Sequence, residues 1–324
     1  MTSQRLNNTL LPDAMDGQGS CVPAMRSDLE TMLLPFFPED GQEDFTTQVG
    51  DYTVRMHSSV PGTRIATATD RKVLNLLAAQ IGTAIRAGTP PSRHVEIGVR
   101  DIMEAISYDP TLGGSEYARI TERLERLAAT WITTEMPIGD DVSRKRQFRW
   151  IDAFEQDVQA GGAGQKVLRL KITLSEDAFR WILGMEGFEI PRDEFRTLTA
   201  SRPSSWRVFE ICLARLIRNG GDPVWIPLDE LRRRIPIASD LKVFKARTLK
   251  SSMAAIADNP QMSGAISLTL ETETEDGFAE IAPRQRVRLD KVHVCVRKGP
   301  LPLPEIDRLL PASAARDALM EDGM

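Results

Sequence analysis

Cysteine, histidine and tyrosine each occur only three times in these 324 residues. Cys21, Cys212 and Cys295 are odd in number and widely spaced. That pattern argues against a disulfide framework and against a zinc site, and it suits free thiols in a reducing cytoplasm. His57, His94 and His293 stand apart, with no His-x-x-x-His or Cys-x-x-Cys context around them, which excludes the usual metal-ligand signatures. Tyr52, Tyr108 and Tyr117 have no histidine pair nearby, so a metal-assisted tyrosine nucleophile is not expected. No apolar run approaches the roughly 20 residues that span a bilayer. No basic stretch followed by an apolar core opens the chain, so no secretory signal is expected either. The glycine-rich run 161–167 lacks Gly-Lys-Ser/Thr, and a strand pattern follows it where a phosphate loop needs a helix. It is expected to be a hairpin turn. No metal, no cofactor and no catalytic role are expected.

What is present is the composition of a globular chain, 41% hydrophobic and 27% charged. The net charge of −5 is unevenly spread. Residues 1–50 hold two basic and eight acidic side chains, and residues 299–324 hold two and five. The core between them holds 37 basic and 33 acidic residues. Acidic ends thus flank a mildly basic core, and local field rather than net charge governs attraction of phosphate. A purely solubilising role for the ends fits the same numbers.

The periodicity predicts a hairpin of Tyr52–Met56 with Thr63–Thr67, and a helix near 70–87 capped by Thr69 or Asp70. A strand at His94–Ile97 and a helix at Val99–Ser107 follow. The run from Gly113 to Asp152 then carries the strongest signal. At about 100° per residue, Tyr117, Ile120, Leu124, Leu127 and Ala128 share one side of a helix. Arg119, Arg123 and Arg126 fall nearly opposite, with Ser115 in the first turn. Strands near 130–138, 146–154 and 166–174 come next, with Arg144, Lys145 and Arg146 expected in a basic turn and Arg149 beside Phe148 and Trp150. Helix, strand, basic turn and strand are the parts of a recognition helix and wing, which place cations in a DNA groove and on its phosphates.

The order then partly repeats. Helices at 175–187, 206–217 and 228–235 and a strand at 224–227 precede a second basic helix at 239–257. Lys242, Arg247 and Lys250 point away from its Leu241–Phe244–Ile256 face, with Lys245 at the margin. Residues 202–254 hold eleven basic and five acidic side chains. A second hairpin of 265–275 with 286–298 carries Arg286 and Arg288. A lone basic stripe is usually a solvated helix face, and Glu122 with Arg126 could form an ordinary i,i+4 pair. Two stripes, each at a helix–hairpin junction, tip the reading toward DNA.

Three pieces of the chain resemble the plasmid replication initiator protein A family of alphaproteobacteria, related to tandem winged-helix plasmid initiators. They are Gly-Gly-x-x-Tyr-x-Arg-Ile at 113–120 continuing to Thr130, Arg-Gln-Phe-Arg-Trp-Ile-Asp at 146–152, and Leu168–Leu174 followed by Ser-Glu-Asp-Ala-Phe at 175–179. The resemblance spans about residues 34–298. It implies an initiator that binds repeats at a plasmid origin, helps open the duplex, and engages the host initiator and helicase.

The expected architecture is therefore α+β. It has a disordered tail (1–33), two tandem winged-helix domains (34–175 and 176–298) and an acidic tail (299–324). The expected partner is double-stranded DNA, in the cytoplasm and away from membranes. Ser115, Arg119, Arg123 and Arg126, and Lys242, Lys245, Arg247 and Lys250, are the candidate helix contacts. Arg144, Lys145, Arg146 and Arg149, with Arg286 and Arg288, are the candidate wing contacts. A winged-helix transcriptional regulator needs the same surface. In a third reading one half serves protein interaction, such as homodimerisation. Direct repeats beside the gene would favour the initiator, and a lone palindrome over a promoter the regulator.

Overall fold

A computed structural model describes residues 24–309, apart from 39–40, 51, 106–113, 140–141, 162–163, 200–201, 236, 238 and 283–284. The described chain opens with β1 (Ala24–Asp28) and α1 (Leu29–Leu33), then β2 (Asp44–Val49) and β3 (Tyr52–Ser58). The tight turn between β2 and β3 uses Gly50 at φ 59°, a left-handed conformation that side chains disfavour. Next come α2 (Arg71–Arg86), β4 (His94–Gly98), α3 (Val99–Ala105) and α4 (Gly114–Ala129). Four strands follow: β5 (Thr130–Gly139), β6 (Val142–Arg149), β7 (Ile151–Gly161) and β8 (Gly164–Leu174). The second half begins with α5 (Glu176–Gly184), β9 (Gly187–Pro191), α6 (Arg192–Thr199) and α7 (Pro203–Arg218). It continues through β10 (Val224–Pro227), α8 (Leu228–Arg234), α9 (Leu241–Val243), a π-helical turn (Phe244–Leu249) and α10 (Lys250–Asp258). It ends with α11 (Pro260–Ala265), β11 (Ile266–Thr274), β12 (Gly277–Glu280) and β13 (Val292–Lys298).

Helix, strand, helix, helix and hairpin recur in that order. In the first half these are α2, β4, α3, α4 and β7–β8, and β4 pairs antiparallel with β8. In the second they are α7, β10, α8, the helix 241–258 and β11–β13, and β10 pairs with β13. Each sheet gathers the apolar faces of its helices. Val73, Leu77 and Ile81 of α2 meet Ile120, Leu124 and Leu127 of α4 and Ile172 of β8 in one core. Val208, Ile211 and Leu216 of α7 share that core with Val294 and Val296 of β13.

Several strands differ from the sequence expectation. Residues 63–67 are not a strand, and β3 pairs instead with β2 and β5. The expected stretch 146–154 is divided at Trp150 into two strands of different sheets. β6 joins the sheet β2-β3-β5-β6, and β7 joins β4-β8-β7. In the second half β13 starts only at Val292, so Arg286 and Arg288 lie in an irregular loop.

Parts of the expected tails belong to the fold. Residues 24–33, assigned to a disordered tail, form β1 and α1, and β1 pairs with β9. A five-residue helix cannot hold itself together by its own hydrogen bonds. Here both ends are capped by side chains outside the helix, those at the C-terminal end from far along the chain. Asp28 accepts the Thr31 amide at 2.7 Å at the N-terminus. Arg207 of α7 donates to the carbonyls of Thr31 and Leu34, and Arg234 of α8 to that of Leu33, filling acceptors that a helix end leaves open. At the other end of the chain, Asp307 pairs with Arg26 at 2.6 Å and bridges backbone to Gly187. Residues 1–23 and 310–324 of the expected tails lie outside the described residues.

The expected apolar clip at 33–38 is buried, and it joins the two halves. Phe36 packs edge-on against Phe148, Trp150 and Trp181 at 5.5–6.0 Å, and Phe37 stacks on Trp150 at 5.2 Å. Trp181 belongs to α5, which follows the expected domain boundary yet packs on β6 of the first half. Beside this cluster Glu210 of α7 accepts from Arg71 of α2 at 2.7 Å and from Arg207 at 3.3 Å. All three are buried. Burial pulls the Arg207 guanidinium down to about 10, opposed by the Glu210 charge, and leaves it charged at neutral pH. Removing the carboxylate strands two buried cations, so Glu210→Ala should lower unfolding free energy by about 3–5 kcal/mol. Urea denaturation of the full chain measures this, and an unchanged midpoint would show that the pair contributes nothing.

Candidate nucleic-acid interface

The two basic helices are built differently. α4 packs Ile120, Leu124 and Leu127 fully into the core, as its apolar periodicity predicts. Its arginines do not form the expected free face. Arg126 clasps the fully buried Asp70 with two hydrogen bonds, 2.9 Å to Oδ2 and 2.7 Å to Oδ1. Arg123 donates to the Thr69 carbonyl and lies 3.5 Å from Asp70 Oδ1. Arg119 remains exposed. The Ser115 side chain lies outside the described residues. Asp70 was expected as a helix cap, but its carboxylate makes no capping bond to α2 and accepts the Thr67 amide instead. A 16-residue helix cannot lay one flank on solvent when another element supplies a buried acid there, and Asp70 is fifty-six residues distant from Arg126 in the chain.

The ion pair sets its neighbours. Lys72 donates to the Thr199 carbonyl at 3.2 Å, and its ammonium is pulled down to about 8, first by burial and then by the Arg123 charge. The charged form therefore costs stability below pH 8, and the cost fades as pH rises toward the ordinary 10.5.

The hairpin β5–β6 does not present a basic turn. Arg144, Lys145 and Arg146 lie within strand β6, opposite Met136, Glu135 and Thr134. Alternation sends Arg144 and Arg146 to one face and Lys145 to the other. Arg146 forms an ion pair with Asp177 of α5, and Lys145 pairs with Glu135 at 3.4 Å. Arg149 sits 3.0 Å from Asp152 and 5.4 Å over the Trp131 ring. Arg144 is exposed, with no ion-pair partner among the described residues. These four are thus dispersed over two sheet faces, and three of them have acidic partners in the fold. Residues 140–141, between β5 and β6, lie outside the described residues.

The helix 241–258 keeps its basic face. Asp240 caps it, its side chain accepting the Val243 amide at 2.8 Å. Phe244, Leu249, Ser252 and Ile256 are buried. Lys242, Arg247 and Lys250 are exposed and have no acidic partner among the described residues. Lys245 is half-buried, and desolvation lowers its pKa. In the loop before β13, Arg286 is exposed, while Arg288 pairs with Asp290 at 2.6 Å. The π-helical turn at 244–249 was not anticipated. Its signal in the sequence is the spacing of five between Phe244 and Leu249.

Neither thiol of the described cysteines is poised for chemistry. Burial pushes Cys212 up to about 12 and Cys295 up to about 11. Among the described residues no cluster of three or more His, Cys, Asp or Glu is placed to hold a metal ion. No described helix is long and apolar enough to cross a membrane.

Two tests follow from the Asp70 clasp. Arg126→Ala should cost about 1.5–3 kcal/mol by stranding a buried carboxylate, whereas Arg119→Ala should change stability by less than about 0.5 kcal/mol. Thermal melts of both variants decide this, and equal melting would mean that the clasp carries no weight. Separately, the wild type should gain stability relative to Lys72→Met as pH rises from 8 to 10.5. A constant difference over that range would show that Lys72 titrates normally.

Similarity to known proteins accords with this geometry. The chain resembles the crystal structure of domains 2 and 3 of RctB, crystallised as selenomethionine derivatives, with a TM-score of 0.51 at 12% identity. The match covers 85% of this chain and 97% of that one. A second crystal structure, of RctB residues 155–483, gives 0.49 at 13% identity, covering 84% and 97%. No curated protein matches the chain in sequence. The family model of replication initiator protein A matches residues 26–256, from β1 through most of α10. The match covers well over half of the chain, which therefore belongs to the replication initiator protein A family.

Proposed function

We propose that the chain is a DNA-binding replication initiator built from two winged helices, and that the helix 241–258 makes its principal contact with double-stranded DNA. One observation carries the reading: the exposed row Lys242, Arg247 and Lys250, without acidic partners among the described residues, on a helix whose other face is anchored by Phe244, Leu249 and Ile256. A rigid cationic helix of this kind suits the major groove, and an adjacent basic loop suits the phosphate backbone. Arg286, exposed in the loop before β13, is the candidate for that second role, since Arg288 is paired with Asp290. The repeated order of elements, with the first strand paired to the last, supports the winged-helix reading of both halves.

The first half contributes less. Of its expected set, Arg123, Arg126, Lys145, Arg146 and Arg149 are engaged with acids, and Arg144 is exposed with no ion-pair partner among the described residues. Family membership favours origin repeats as the target and an intracellular, plasmid-associated setting, with the host initiator and helicase as further partners. The first half's surface can serve self-association. The chain acts by binding and carries no catalytic step of its own.

The test uses the full chain, because elements of each half complete the other. Lys242→Ala, Arg247→Ala and Lys250→Ala should each weaken duplex binding by about 1–3 kcal/mol. Each lost phosphate contact should reduce the slope of log affinity against log salt by about 0.9. The same preparations should neither nick the duplex nor hydrolyse ATP. Wild-type affinity and slope in all three variants would overturn the reading.

A further inference from the structure

The helix 241–258 is not a regular α-helix. In its second turn the Lys250 amide donates to the Lys245 carbonyl, five residues back. In an α-helix, residues five apart point about 140° from each other. Closing the turn on i to i+5 bonds widens it by about one residue, so that residues five apart share a face. Phe244 and Leu249 are both fully buried, and the widened turn brings them to one face of a helix whose opposite side is exposed at Ala246 and Arg247. Between them burial falls off symmetrically. Lys245 and Thr248 are half-buried, and Ala246 and Arg247 are exposed. The apex of the widened turn is therefore Ala246–Arg247, pointing away from the core. The core gains nothing from the additional residue, since a spacing of four would bury the same two side chains on an ordinary helix.

We propose that this widened turn is the sequence-reading element of the protein, with Arg247 the specificity-determining residue. The inference rests on the DNA-binding reading above. A guanidinium offers two parallel donors to the O6 and N7 acceptors of guanine, the commonest specific contact in the major groove. Ala246 beside it is small enough to let the backbone approach, and its methyl matches that of thymine. Lys242 and Lys250 flank the apex and hold phosphates, which position the helix without reading sequence.

Deletion of Ala246 tests the geometry. It places Phe244 and the following leucine four apart, keeps every charge, and restores an α-helical register. The probes are the duplex that the wild-type chain enriches from a random library and a scrambled duplex of equal length. The deletion should leave the melting temperature and the affinity for scrambled duplex near wild type. Preference for the enriched duplex should fall about tenfold or more. Arg247→Gln, at an exposed position, should melt as wild type and lose preference to a similar extent, which decides the matter if the deletion variant does not fold. Preference retained in Arg247→Gln, or in a folded deletion variant, would overturn the proposal. Binding of neither duplex by the wild type would overturn the DNA-binding reading itself, and this inference with it.

Discussion

The buried contact of Glu210 with Arg71 and Arg207 is the constraint around which the two halves are arranged. Arg71 begins α2, the leading helix of the first half, and Glu210 and Arg207 lie on α7, the leading helix of the second. A charge removed from water costs several kcal/mol unless a partner meets it with good geometry. These three are therefore stable only when the start of α2 meets α7. Arg207 then reaches the carbonyls of Thr31 and Leu34. The same clamp that joins the halves thus holds α1 and the start of the aromatic clip. Two domains joined only by a linker would have no such shared polar interior.

That arrangement divides the work between the halves. In the first, buried Asp70 draws Arg123 and Arg126 inward, and Asp177 and Glu135 occupy Arg146 and Lys145. An arginine held by a carboxylate must break that pair before it meets a phosphate. In the second, the exposed cations of helix 241–258 have no such competition among the described residues. The two halves share an order of elements while differing in what their basic helices can offer a polyanion.

Much of this was legible from periodicity. The apolar faces of α2, α4 and α7, the strands β4 and β10, and the burial of Phe36 and Phe37 all follow local spacing. So did the outward row Lys242, Arg247 and Lys250, because nothing distant intrudes on it. The small elements β1, α1, β9 and α6 were not legible, because each depends on residues far away in the chain, as α1 does on Arg207 and Arg234. The division of residues 142–161 into two strands of different sheets was also hidden. Alternation at a period of two runs through both strands and does not say with which neighbour either pairs.

The sequence by itself determined the apolar stripes of the regular helices α2 and α4, since such a stripe is set by local period. Order and spacing of motifs also sufficed to identify the family. Only the tertiary structure decided which charges are free. Charge is a property of the residue, but its availability depends on whether another element brings an opposite charge within hydrogen-bonding reach. Arg126 and Arg247 look alike in sequence, each outside the apolar stripe of a basic helix. Asp70, fifty-six residues from Arg126, is what makes one a strut while the other stays open to a partner.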